Sequence, residues 1–376
     1  MPPKQLKKIH RLFQEPIGLI PSAYDQTRRI VILAVLFLVL LSAYFGFWYY
    51  PTVKVENNYI RKSNFRFVTE YWTEPKIRRL WQQENFKDIR ADSQWGLFLK
   101  LCDWTHRQWK NGVPKPYPVC NALDILRDIR SGKTGGFCAQ YAYVLGDVLK
   151  TFGFFNVRYV EATQSSGTGH FSLEAWSDEY EKWVLLGAWR DYYYVLEDSG
   201  IPANAYEVHL SLHGGPKVRA VSIDGKVVPD NYEACKLFDN IAVSLRSDFM
   251  DNTRPLSELD RWEMFLFIRD KYTSPIFQKS VPYHNVTERV EDLYFDCNKT
   301  RVEYQRDHNH VYLHLYNDRT ASNFKCFVMR NGKGSEWTEI SEDLVMDRQS
   351  GPQTFWLATR NQFNQTGVIN RVDIHW

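Results

Sequence analysis

The chain has no CxxC pair, no excess of basic charge and no low-complexity tract, and each absence excludes a class of protein. Six cysteines stand at 102, 120, 138, 235, 297 and 326. Without CxxC spacing, neither a zinc ribbon nor a thioredoxin-type redox motif has its ligands. His209 and His213 form a near pair but lack a third ligand, so no metal and no cofactor is expected. Lys and Arg total 47 against 44 Asp and Glu. The first 50 residues hold six basic and two acidic groups, which leaves 41 and 42 for the remainder, a net charge of −1. A nucleic-acid-binding protein usually carries a basic surplus, so no nucleic-acid partner is expected. Repeats are absent too, which argues against a solenoid.

What is present is a globular composition with one exception. Hydrophobic residues make up 44% of the chain, charged residues 24% and aromatics 15%. That balance suits packed, sheet-rich domains rather than disorder. The exception is Ile30 to Tyr50, which runs without a charge. Its 21 residues span roughly 30 Å as a helix, the thickness of a bilayer's hydrocarbon core. A buried core helix would show a polar face, and this run has none at any helical period. A secretory h-region would be shorter and followed by a small-residue cleavage site. Lys4, Lys7, Lys8, Arg11, Arg28 and Arg29 flank it on the N-terminal side. The positive-inside rule then expects a cytoplasmic segment at 1–29, a transmembrane helix at 30–50 and residues 52–376 outside, periplasmic or extracellular.

The pattern after the anchor changes twice. Helices are expected at Lys76–Phe86, at an element capped by Ser93, and at Ala122–Arg130 capped by Asn121. Cys138–Phe152 has helical composition and Gly153 ends it. Strands follow at 156–162, 170–176 and from Trp183, each with period-two alternation. Residues 211–285 read as a connecting α/β region, with a hairpin around Asp224-Gly225 and a helix over Leu259–Lys271. From 286 to 376, short alternating strands separated by Asn317-Asp318, Asn331-Gly332 and Ser350-Gly351-Pro352 suggest an immunoglobulin-like β-sandwich. Asn285, Asn298 and Asn364 each open a glycosylation sequon. Among the cysteines, Cys102 with Cys120 and Cys297 with Cys326 are the pairs nearest in sequence, and spacing does not decide whether either is bonded.

The chemistry concentrates in Gly135-Gly136-Phe137-Cys138-Ala139-Gln140-Tyr141 and in Gly169-His170-Phe171-Ser172-Leu173-Glu174-Ala175-Trp176. A cysteine at a helix N-terminus meets free backbone N–H groups and the positive end of the dipole, which favour thiolate. The same groups serve an oxyanion. The two glycines allow close backbone approach to a substrate. A histidine on a neighbouring strand supplies the base, and a third polar group should orient it. Glu174 shares the strand face of His170.

Together with Asp103-Trp104-Thr105-His106, the helix Ala122–Arg130 and Lys182-Trp183-Val184-Leu185-Leu186, these segments resemble the transglutaminase-like superfamily of papain-type folds. The resemblance covers about residues 90–195. It implies an α+β core over 59–210, with helices packed on an antiparallel sheet. It also implies a catalytic Cys138 and His170 with an acid on the next strand. Where the family usually has that aspartate, this chain has Gly187, which leaves Asp191 or Glu174 as candidates. Two readings stay open. One is a membrane-anchored cysteine acyltransferase or amide hydrolase acting through a Cys138 thioester. The other is a catalytically impaired module that binds a peptide, protein or glycan of the cell envelope, within a membrane complex.

Overall fold

The fold is described from a computed structural model covering residues 23–57, 61–164, 166–226, 228, 234–255, 258–273, 283–317 and 321–376. Most of the basic N-terminal residues and Asp318 lie outside these. Among the described residues the protein is a mixed α+β structure with eight α-helices and three sheets. The first helix, α1 (Ala23–Tyr49), is long and apolar enough over Gln26–Tyr44 to cross a membrane, and none of that span is buried. It is consistent with a signal sequence or a single anchor.

The largest sheet has eight strands. In chain order they are β2 (Val157–Thr163), β3 (Gly169–Ser177), β4 (Lys182–Gly187), β5 (Tyr192–Leu196), β6 (Val218–Ser222), β7 (Asn240–Ser244), β8 (Phe265–Ile268) and β9 (Asn285–Thr287). Their spatial order is β6-β5-β4-β3-β2-β7-β8-β9, antiparallel except for β8 with β9. The period-two alternation sorts side chains to two faces. Tyr159, Phe171, Leu173, Ala175, Val184 and Leu186 join one core with Ile77 and Leu80 of α2 (Pro75–Glu84) and Phe98 and Leu101 of α3 (Gln94–His106). Ile125 of α4 (Ala122–Arg130) and Val144 and Val148 of α5 (Cys138–Thr151) complete it. Val160, Trp176, Trp183, Leu185, Val243 and Leu266 form a second core on the far face, with Val208 of α6 (Ala205–Ser211) and Phe238.

The helices begin where their caps are. Ser93 Oγ accepts from Gly96 N at 3.0 Å, and Asn121 Oδ1 accepts from Asp124 N at 2.9 Å. Such caps stabilise a helix by about 1 kcal/mol each. A buried ion cluster ties α5 to its surroundings. Lys150 Nζ lies 2.9 Å from Glu70 Oε2 and 3.1 Å from Asp147 Oδ1, and also donates to the Ser247 carbonyl. The helix expected over Leu259–Lys271 is not there. Only α7 (Arg261–Met264) is helical, and Phe265-Leu266-Phe267-Ile268 continues as fully buried strand β8 between β7 and β9. Two covered faces and two strand neighbours outweigh the local helical pattern. A turn stands at the expected hairpin, with Ser222 N–H donating to the Lys226 carbonyl at 2.7 Å and Val228 N–H to the Ala220 carbonyl at 3.2 Å, while Val227 of its second arm lies outside the described residues. A short helix α8 (Val290–Leu293) leads out of this sheet.

The C-terminal strands form two facing sheets. One has order β10 (Arg301–Arg306), β11 (His310–Tyr316), β14 (Asp343–Asp347). The other runs β1 (Thr52–Asn57), β16 (Asn370–His375), β15 (Gln353–Asn361), β12 (Phe324–Arg330), β13 (Thr338–Ile340). Val311, Leu313 and Leu315 meet Phe327, Phe355, Leu357, Val372 and Ile374 between them. Strand β1, only two residues beyond α1, pairs with β16 along its whole length. Asp178 joins this unit to the large sheet: it accepts from Trp176 Nε1, Asn298 Nδ2 and Asn361 Nδ2, each at 2.8 Å. Asn298 is therefore buried and engaged, and its sequon is closed in the folded chain, whereas Asn364 is exposed. No disulfide joins any of the six cysteines, so neither near pair is bridged.

Candidate functional site at the Cys138 helix

Helix α5 opens on Cys138. Phe137 before it is extended, and its N–H donates to Gln140 Oε1 at 3.1 Å. The preceding glycines are needed, but for packing. A Cβ on Gly136 would sit 2.6 Å from Ile129 Cδ1 and 2.8 Å from Trp109 Nε1. One on Gly135 would sit 2.7 Å from the Val113 carbonyl oxygen. The expectation that they clear space for a substrate is thus replaced: they clear it for α4 and for the loop after α3. That loop is held by Gly112 N–H donating to the Gly136 carbonyl at 2.9 Å. Trp109 stacks on Tyr141 with ring centroids 4.1 Å apart.

The Cys138 thiol is half-buried, with the N–H groups of Phe171 and Ala139 turned toward it. Loss of water outweighs these donors and pushes the thiol above its ordinary range. At neutral pH it is therefore protonated, and the helix N-terminus alone does not make it a thiolate. The rim beside it is aromatic and apolar. Phe137 is 36% exposed, Val113 is 82% exposed, and Tyr117 packs edge-on to Phe137 at 6.1 Å.

His170 lies one residue from Phe171 and is buried. Its ring is held between Trp189 at 5.3 Å and Phe238 at 5.8 Å. Burial, joined by the charge of Arg190, pushes the imidazole down to about 3. It is neutral across the physiological range. Its Nε2 shares a 2.8 Å hydrogen bond with Ser172 Oγ. The Leu173–Leu186 pairing, extended by one rung, sets Ser172 against Gly187. A Cβ at Gly187 would meet the Tyr192 carbonyl oxygen at 2.8 Å. The strand position where the resemblance expects an aspartate is thus closed by backbone, and a hydroxyl orients the imidazole. A hydroxyl fixes the ring but, unlike a carboxylate, does not stabilise an imidazolium.

Neither acidic candidate reaches His170. Glu174 shares its strand face but lies four residues on, roughly 13 Å along the strand. It is saturated there by Arg158 Nε at 2.9 Å and Nη2 at 2.7 Å, Ala205 N at 2.7 Å and Tyr294 Oη at 3.1 Å. That is a structural ion pair in the second core. Asp191 lies in the β4–β5 turn with φ +56°. Its carboxyl is raised by burial and drawn down by His106 and Arg107. Its Oδ1 is buried without a hydrogen-bond partner among the described residues, and the charges that act on it belong to the end of α3, where His106 Nδ1 lies 2.9 Å from the Ala188 carbonyl oxygen. Sequence reasoning passed over Ser172, although the alternation of β3 already placed it on the face of His170. Trp189 and Phe238 gave no comparable signal, because only the tertiary fold brings them to the ring.

The comparisons with known proteins supply no relative: no family model, no curated protein and no solved structure matches this chain.

Proposed function

We propose that the protein is a membrane-anchored, transglutaminase-like module facing outward. In this reading the surface beside Cys138 binds a peptide segment of a cell-envelope protein without turning it over. The observation that carries this reading is the pairing of Ser172 with His170 opposite a Gly187 that has no room for a side chain. Two neutral groups, a raised thiol and a depressed imidazole, do not form a resting thiolate–imidazolium pair. The exposed ring of Phe137, with half-buried Tyr117 edge-on to it, favours a segment with an apolar side chain. The acyl-transfer reading keeps one specific support, the backbone N–H groups of Phe171 and Ala139 directed at the sulfur.

Alkylation kinetics of Cys138 separate the two. The other five cysteines are replaced by serine or alanine, and labelling is followed from pH 6 to 10 in the parent and in His170→Ala. The binding module reacts slowly at pH 7, and its rate rises only above the ordinary thiol range, in both proteins alike. Fast labelling at pH 7 that collapses in His170→Ala would establish the enzyme instead.

A further inference from the structure

The registers of the β-sandwich sort its turns by end. Thr52 pairs with His375, and Gln353 with Ile374. Arg330 pairs with Trp356, and Met329 with Thr338. In the facing sheet His310 pairs with Asp347, and Arg306 with Val311. The turns 307–309, 331–337 and 348–352 therefore all lie at the end where β1 begins. Hydrogen bonds tie that end together. Arg348 N–H donates to the Asn309 carbonyl at 2.7 Å, and Arg306 Nη1 donates to the Pro51 carbonyl. Only Tyr50 and Pro51 separate Thr52 from the end of α1, a reach of roughly 10 Å.

Aromatic rings gather at this end. Residues 286–376 contain three tryptophans, and all three stand here. Trp337 immediately precedes β13, Trp376 follows β16, and Trp356 sits opposite Arg330. Tyr50 joins them, 40% exposed and stacked on His308. Trp337 and Trp376 are half-buried, and Arg330 lies over the Trp337 ring at 4.6 Å. Packing with Arg330 holds Trp337 and Trp356 in place, but it does not dictate that Trp376 and Tyr50 share their end. The charges nearly balance: Arg306, Arg330, Lys333 and Arg348 against Asp307, Glu336 and Asp347. Charge alone therefore selects no anionic partner. Indole and phenol rings with basic side chains between them collect at the level of lipid headgroups. There an amphipathic ring keeps its polar edge wet and its apolar body against the acyl boundary.

We infer that this end of the sandwich docks on the headgroup layer of the bilayer that α1 enters. Tyr50, Trp337 and Trp376 are its interfacial anchors, and Lys333 and Arg348 lie at the level of the phosphates. The inference rests on the reading of α1 as a membrane anchor and is independent of the reading of Cys138.

The test uses the full chain in phosphatidylcholine nanodiscs. The photo-crosslinking residue p-benzoylphenylalanine replaces Lys333, Gln349, Gln362 or Leu38, one at a time, and mass spectrometry counts phospholipid adducts after illumination. Leu38 lies in α1 and reports insertion. Gln362 lies just beyond the far end of β15, roughly 25 Å from Gln353. Adduct at 333 and at 349 should exceed that at 362 by at least about 10-fold, because the headgroup layer is only about 5–8 Å deep. All four positions are exposed, so each variant should keep the parent's unfolding midpoint. Adduct at Leu38 with none at 333 and 349, or with as much at 362 as at those two, overturns the inference alone. No adduct at Leu38 overturns the reading of α1 and the inference with it.

Discussion

At the residue scale, the chemistry turns on what burial does to Cys138 and His170. A base whose folded value is depressed is neutral in the native state and takes its proton on unfolding. Stability that is complete above the ordinary histidine range is lost as pH falls from there toward about 3. Urea unfolding at pH 7, 6 and 5 should therefore show a slope of up to roughly 1.4 kcal/mol per pH unit from this one group. His170→Asn should remove that share of the slope, and an unchanged slope would show that His170 is not held neutral. Gly187 supports a second prediction. Gly187→Asp places a side chain against the Tyr192 carbonyl, so it should destabilise by about 1–3 kcal/mol. It should leave the alkylation rate of Cys138 at pH 7 unchanged. A faster rate would mean that the strand end yields and that an acid in this position does activate the pair. Both key residues were legible from the sequence, because a cysteine at a helix start and a histidine at a strand start are local patterns. Their protonation was not legible. It depends on Trp189, Phe238 and the closed β4–β5 hairpin, which come together only in the fold.

At the element scale, legibility follows how local the deciding interaction is. Helices α3 and α4 were readable because Ser93 and Asn121 cap them from within three residues. Strand β8 was misread as helix because what makes Phe265–Ile268 extended is its pairing with β7 and β9, not its own pattern. The ion cluster at Lys150 was missed for the same reason: Glu70 lies 80 residues away in sequence. That cluster makes α5 a rigid platform for Cys138. Asp147 Oδ2 also accepts from Ala122 N at 3.0 Å, which ties the start of α4 to α5. Lys150→Met would leave Asp147 and Glu70 facing each other without their shared cation. The expected loss is about 3–5 kcal/mol of unfolding free energy, the usual cost of removing one partner of a buried ion pair. Denaturant titration checks it. A loss under about 1 kcal/mol would show that the carboxyls simply take up protons.

At the scale of the whole molecule, β1 decides how the folded body is joined to the apolar helix α1. Six residues pair with β16, and Val53 enters the sandwich core beside Val372 and Ile374. Pro51 accepts from Arg306 Nη1, and Tyr50 stacks on His308 at 4.5 Å. The last strand of the chain is thereby bound to the first residues after α1, and the sandwich is the part nearest the apolar helix. In turn, Asp178 carries that constraint to the sheet that bears His170. A chain that begins at residue 51 keeps this arrangement. One that begins at residue 58 leaves β16 as an open edge and Val372 and Ile374 uncovered on one side. Such an edge invites pairing with other chains. The longer form should be monomeric and resist proteolysis over 301–376. The shorter form should aggregate or be cut there first, while the helices that pack on the large sheet persist. Equal resistance in the two forms would mean that the sandwich does not need β1. The link from α1 to the sandwich would then be a tether rather than a structural joint.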